Sequence, residues 1–191
     1  MKVFPFRNAL GAKRRLLRRL RRDERGSTAI EFAMLAIPFM SLIYAIFETS
    51  MVHVSGQVLQ TAVTDASRKI LTGQAQSGSW NEQNFKDEIC SRVKAMFDCK
   101  NLLQVDVRTV GSFDTAQIDG PPIDSNKNLN TSGFGYNPGG PKTINIVRAV
   151  IAYPIVVPLI GTSFVNLNGG KMLIMATAAF QTEPYAAPSS P

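Results

Sequence analysis

Glu31 is the one charged side chain in a nineteen-residue apolar run, Ala29–Phe47, which reads AIEFAMLAIPFMSLIYAIF. A carboxylate there is costly, about 2.5–3.5 kcal/mol at the centre of a bilayer and less near its interface. Two readings of Glu31 stand side by side. Carboxylates inside membrane segments are functional candidates by default. A carboxylate in the first turn of a helix also favours the helix N-terminus by its charge, or reaches the headgroups. Cys90 and Cys99, the only cysteines, are the second candidate pair. Two cysteines in an exported domain read as a disulfide. They cannot both lie in one straight helix, where nine residues span roughly 13 Å against the ~4.4–6.8 Å a disulfide requires. The helix carrying Cys90 is therefore expected to end near Met96, so that Cys99 can fold back.

Little else in the chain points to chemistry. The sequence has no GxSxG, Walker loop, HExxH or dinucleotide fingerprint. Its single histidine, His53, is expected to be structural or exposed. With two cysteines alone it cannot complete a zinc site. Asp114, Asp119 and Asp124 stand five residues apart, which does not match a calcium loop. Asn130-Thr131-Ser132 matches a glycosylation sequon, of little weight in a bacterial host. No enzyme activity, cofactor or metal is expected.

The charge is segregated. Residues 1–25 carry ten Lys/Arg against Asp23 and Glu24, for +8, while the whole chain is +7. The remaining residues therefore net −1, with no basic excess for nucleic acid. A basic block ahead of an apolar run orients a membrane helix with its N-terminus in the cytoplasm. The run would span roughly 28 Å as a helix, close to the hydrocarbon thickness of a bilayer. No small-x-small cleavage site follows it, so a secretory signal is not expected. Instead Phe47, Met51, Val54, Val58, Ala62, Ala66 and Ile70 recur at helical spacing, with Leu59 and Val63 beside them. One helix of about 45 residues is expected, apolar all round and then amphipathic, stopping at Thr72-Gly73. Pro38 inside it removes one backbone bond and is expected to kink it.

The junction Arg25-Gly26-Ser27-Thr28-Ala29-Ile30-Glu31-Phe32 carries a resemblance. A basic leader, Gly26, Glu31 five residues later and an apolar stretch resemble the class III signal of type IV prepilins. More closely, RGSTAIEFAMLAIPFM resembles the opening of the TadE/TadF-like family of the tight-adherence (Tad/Flp) pilus system, through Gly26, Glu31, Phe32 and Pro38. The resemblance implies cleavage between Gly26 and Ser27 by a prepilin peptidase on the cytoplasmic side. It also implies that Glu31 pairs with the new amino group on a neighbouring subunit. The implied partners are the peptidase, other pilin and pseudopilin subunits, the Tad secretion machinery and the lipid bilayer. Ser27 stands where many type IV pilins have Phe or Met, and the mature chain would exceed major Flp pilins in size. A minor pilin or pseudopilin is therefore the expected role. An uncleaved single-pass envelope scaffold or adhesin is the alternative.

Beyond Gly73, Gln74–Ser79 reads as a polar loop. Trp80–Cys99 reads as a second amphipathic helix through Phe85, Ile89, Val93, Met96 and Phe97, capped by Asn81 with Asn84 in place of the preferred Glu or Gln. Residues 103–110 alternate as a strand with one wet face. Ser112–Pro141 reads as a long loop, in which Phe134 and Tyr136 read either as a contact surface or, the preferred expectation, as solvated. Thr143–Val157 and Lys171–Thr182 read as strands around a turn region, 158–170. The expected layout is a cytoplasmic leader (1–26), a membrane segment (27–47), its amphipathic continuation (48–73), an extracytoplasmic domain (74–183) and a disordered tail (184–191). The fold class is α+β: a long N-terminal helix, a second helix and a small antiparallel sheet, pilin-like, in the inner membrane with the C-terminal domain periplasmic or extracellular.

Overall fold

The computed structural model describes residues 26–94, 98–114, 120–155 and 165–185. The expectations for the basic leader before Gly26, for Met96, Phe97 and Asp119, and for the tail beyond Tyr185 lie outside those residues. The elements run α1 (Ser27–Leu71), α2 (Gln74–Ser77), α3 (Glu82–Val93), α4 (Cys99–Leu102), β1 (Leu103–Val110), β2 (Ile144–Pro154) and β3 (Lys171–Gln181). The fold is α+β. Contacts divide the chain into two units, one ending at Tyr44 and one beginning at Ala45.

In the first unit, α1 carries apolar side chains all round and its large hydrophobic residues are exposed. The helix continues through Pro38. Ser41 Oγ donates to the Pro38 carbonyl at 2.9 Å. Such back-bonding by Ser is common where a proline interrupts the ladder.

In the second unit, burial on α1 starts at Ser55 and runs through Leu59, Ala62, Val63, Ala66, Ser67 and Ile70. This corrects the expected stripe, since Phe47 and Val54 are exposed and Val58 is only partly covered. Residues 54/58 and 55/59 are both i, i+4 rows, so spacing cannot choose between them. The core partners decide: Leu59, Val63 and Ile70 join Val105, Val147 and Ile174 of the sheet in one cluster. The helix stops where expected, at Gly73 with φ +77°. The chain after β3 returns to this stop, with Glu183 N–H donating to the Leu71 carbonyl at 2.9 Å.

One helical turn, α2, replaces the start of the expected polar loop. Four residues give no periodic signal to read. On α3 the capping box forms with asparagine at both positions. Asn84 N–H donates to Asn81 Oδ1 at 2.9 Å and Asn81 N–H to Asn84 Oδ1 at 3.1 Å. The helix ends at Val93, with Lys94 as its C-cap. Phe85, Ile89 and Val93 point into the core beside Leu59, Val63 and Ile70 of α1.

The sheet has the order β1-β2-β3, all antiparallel, with Val107 opposite Val147 and Ala149 opposite Ala176. Leu103, Val105 and Val107 share the helix-facing core with Val147, Ala149 and Ile151. The face of β1 expected to be wet is so only in part: Gln104, Arg108 and Val110 are half-buried, and Asp106 is covered. Asp106 is 2% exposed, because the long loop folds over it. Ile123, Leu129 and Phe134 pack there on Val150, Leu167 and Leu173. The same loop lies along the outer edge of β1. Val107 N–H donates to the Gly135 carbonyl and Asn137 N–H to the Val107 carbonyl, each at 2.7 Å. Tyr136 therefore packs against Phe85, with ring centroids 5.7 Å apart, and is not solvated as expected. Burial pushes its phenol up to about 12 from 10, favouring the neutral form. Its contribution to stability is whole below pH 10 and is lost as the pH rises toward 12.

The other edge is met by α1. Thr177 N–H donates to Gln60 Oε1 at 3.3 Å, and Gln60 Nε2 donates to the Thr177 carbonyl at 3.1 Å. A side-chain amide thus stands in for one residue of a neighbouring strand.

The loop ends in a turn that requires glycine. Gly139 has φ +64°, and a Cβ there would overlap the Thr143 hydroxyl and lie 2.7 Å from Thr109 Oγ1. Thr143 and Thr182 both donate to the Gly140 carbonyl at 2.7 Å. Gly139→Ala is expected to cost on the order of 2 kcal/mol, from left-handed strain and the overlap together. Denaturant unfolding of the full chain in detergent, followed by the near-UV signal, measures it. A loss below a few tenths of a kcal/mol would show that the turn relaxes freely.

Candidate functional site

The residues with a chemical reading fall in three places, one in the first unit and two in the second. The first is the start of α1. Gly26 is exposed, and among the described residues, its chain neighbours aside, no atom lies within 4 Å of where a Cβ would stand. Ser27 follows as the first α-helical residue, and its hydroxyl donates to Glu31 Oε1 at 3.0 Å. This i, i+4 contact holds the carboxylate along the helix surface, one turn in from its first residue. Phe32 beside it is 73% exposed. From Ile30 to Phe47 every large apolar side chain is exposed, with none of the most apolar window buried. The helix is long and apolar enough to cross a membrane. A contiguous apolar surface of this kind marks a membrane or interaction site. The structure thus brings Ser27 and Glu31 together and leaves Gly26 and Phe32 open.

The second place is the Cys90–Cys99 bond, with Cα atoms 5.5 Å apart. It joins the last turn of α3 to the first residue of α4, which runs into β1 without a linker. Both sulfurs belong to the helix-facing core.

The third place escaped the sequence reading. Arg148 donates from Nε and Nη2 to Asp106 Oδ2 at 3.1 and 2.8 Å, across directly paired positions of β1 and β2. Its guanidinium lies 5.3 Å from the Phe134 ring centroid. Gly135 N–H reaches Asp106 Oδ1 at 3.3 Å, and Arg108 Nε stands 3.6 Å from Oδ2. The signal was present: Arg148 is the one charge in the apolar strand INIVRAVIAYP. The arrangement ties the loop to the sheet and offers neither a nucleophile nor a proton relay.

His53 is exposed. Asp124 accepts from the backbone N–H groups of Asn126 and Asn128 and so shapes its own turn. Among the described residues, no group of three or more His, Cys, Asp or Glu side chains is placed to hold a metal.

Comparison with protein families matches residues 26–68 to the model described as TadE-like protein. The match covers the apolar segment and most of the rest of α1, and none of the sheet. Comparisons with curated proteins and with solved structures find no match.

Proposed function

We propose, with the TadE-like segment as premise, that this chain is a minor pilin or pseudopilin that takes part in assembling a Tad-type adhesive pilus. The family ties the segment to Tad pilus systems and to a structural role rather than a catalytic one. The observation that carries the reading is the overlap of three things on one helix. The family match, over residues 26–68, takes in both the uniformly exposed apolar surface of residues 30–47 and the carboxylate near its start.

Residues 27–47 hold the chain in the inner membrane as a single span. The arginine-rich block lies on the cytoplasmic side, by the positive-inside rule. The folded unit lies outside, where the Cys90–Cys99 bond persists. Prepilin peptidase cuts between Gly26 and Ser27. An exposed glycine with open space around it suits a protease that must hold the chain extended. Once cut, Ser27 carries a free amine, and Glu31 pairs with that amine on a neighbouring subunit. In a medium of low dielectric the pair offsets two desolvation costs and fixes the axial register.

Intact mass and N-terminal sequencing of the envelope-extracted protein test the cut. The expected start is Ser27. A Met1 start in a host with active prepilin peptidase would favour an uncleaved scaffold or adhesin held by the same helix.

A further inference from the structure

Glu31 Oε1 accepts the Ser27 hydroxyl at 3.0 Å, and among the described residues no other hydrogen bond or ion pair reaches this carboxylate. Its second oxygen is open. We propose that Ser27 is the positioning residue of the Glu31 site. Its hydroxyl holds one carboxylate oxygen within the chain and leaves the other for the amine of a neighbouring subunit. This role rests on the assembly reading of Glu31, and it belongs to the Ser27 side chain, apart from the amine that the cut exposes.

The first support is what the next hydroxyls along α1 do. Ser41 donates to the Pro38 carbonyl at 2.9 Å, Thr49 to Ala45 at 2.8 Å and Ser50 to Ile46 at 2.7 Å. Each turns back on its own helix, as hydroxyls within helices commonly do. Ser27 is the first α-helical residue, so no carbonyl of α1 lies a turn behind it. Its hydroxyl donates forward instead, and Glu31 stands one turn ahead.

The second support is the surroundings. Ile30, Phe32, Met34 and Leu35 are large, apolar and exposed, and their side chains offer the carboxylate no donor. In apolar surroundings the one bond it does make is strengthened. The third is valence. A carboxylate has two oxygens and about four acceptor positions. One hydroxyl uses one of them, so the bond within the chain and the pair between chains are compatible.

The gain is preorganisation. A glutamate side chain loses rotamer freedom when a partner captures it. Ser27 takes that loss beforehand, so the incoming amine meets an oriented acceptor. Removing the hydroxyl therefore weakens capture without abolishing it, because the charge of Glu31 remains.

Ser27→Thr and Ser27→Val test this, since the two new side chains share a shape and differ in the hydroxyl. Both full-length chains are expressed in the piliated host. The sheared pilus fraction is measured per molecule of membrane protein that starts at residue 27. Ser27→Thr is expected to stay within about twofold of wild type and Ser27→Val to fall about fivefold, the size of one hydrogen bond. A second readout needs no pilus. In membrane vesicles, dicyclohexylcarbodiimide dissolves in the lipid and adds to carboxyl groups, and the Glu31 adduct is followed by peptide mass. Ser27→Val is expected to label at least about threefold faster than Ser27→Thr, because no hydroxyl covers Oε1. Equal labelling of the two variants, or equal amounts in the pilus fraction, would overturn the role of the hydroxyl. Glu31→Ala run in parallel separates the two claims. Wild-type pilus amounts in that variant would overturn the assembly reading, while the labelling ratio of the two Ser27 variants still decides whether Ser27 holds Glu31.

Discussion

Glu31→Ala is expected to remove the chain from assembled pili while the cut at Gly26–Ser27 proceeds. The direction of the energetics makes the test informative. Taking a carboxylate out of an apolar helix lowers the cost of membrane insertion, by up to about 2.5–3.5 kcal/mol at the centre and less near the interface. Anchoring should therefore improve, and any loss must arise later, when subunits meet. Glu31→Gln sharpens the result. It keeps the shape and still accepts from the Ser27 hydroxyl that now lies 3.0 Å from Oε1. It lacks only the charge, so a glutamine as defective as alanine assigns the effect to ion pairing with an amine. The readouts are the mass of the membrane-extracted protein and its amount in the sheared pilus fraction. A drop of at least tenfold in that fraction, with a Ser27 start, is expected. Wild-type amounts in the pilus fraction would remove Glu31 from the assembly mechanism.

Asp106→Ala is expected to be the most damaging single change in the folded unit. Asp106 is 2% exposed and accepts two bonds from a guanidinium that is itself buried. Removing one member of a buried, hydrogen-bonded ion pair costs about 3 kcal/mol or more, chiefly because the partner stays desolvated. The Gly135 N–H loses its acceptor as well, so the loop over the sheet loosens. A fall in Tm on the order of 10 °C is expected for a domain of this size. Asp106→Asn, which keeps one acceptor oxygen for the guanidinium and loses the one facing the Gly135 N–H, should lose less. Thermal unfolding of the two variants in the same detergent compares them. Equal stability of Asp106→Ala and wild type would show that the loop rearranges to shield Arg148.

What was legible in the sequence follows physical range. The long helix was plain, because nineteen apolar residues and a continuing helical spacing leave few alternatives. So were its stop at Gly73 and the two long strands, which local φ/ψ demands and β-branched runs specify. The residues of the candidate site at the start of α1 are also neighbours in sequence. Gly26, Ser27, Glu31 and Phe32 lie within seven residues, and a contact such as Ser27–Glu31 spans one turn. Long-range packing was not legible. Nothing near Val54 says that the row through Ser55 and Leu59 is the buried one, since that depends on core partners distant in the chain. Asp106 alternated like a solvated residue, and its burial comes from a loop nearly thirty residues away in sequence. The short helices α2 and α4 are single turns, with no period to detect. The asparagine at the third position of α3 was read as an imperfect cap, yet its side chain reaches the Asn81 N–H as a glutamate would.

The amide of Gln60 has a consequence for how copies of this chain can gather. A strand arriving along β3 would have to dislodge Gln60 from Thr177 before it could bond in the middle of that edge. The opposite flank, along β1, is already taken by residues 135–137 of the same chain. Among the described residues each border of the sheet is thus engaged at one point, Thr177 on β3 and Val107 on β1, which hinders edge-to-edge pairing there. A second copy adding a strand to this sheet would first have to displace one of these two contacts, so its helix and loop surfaces are the readier places of contact.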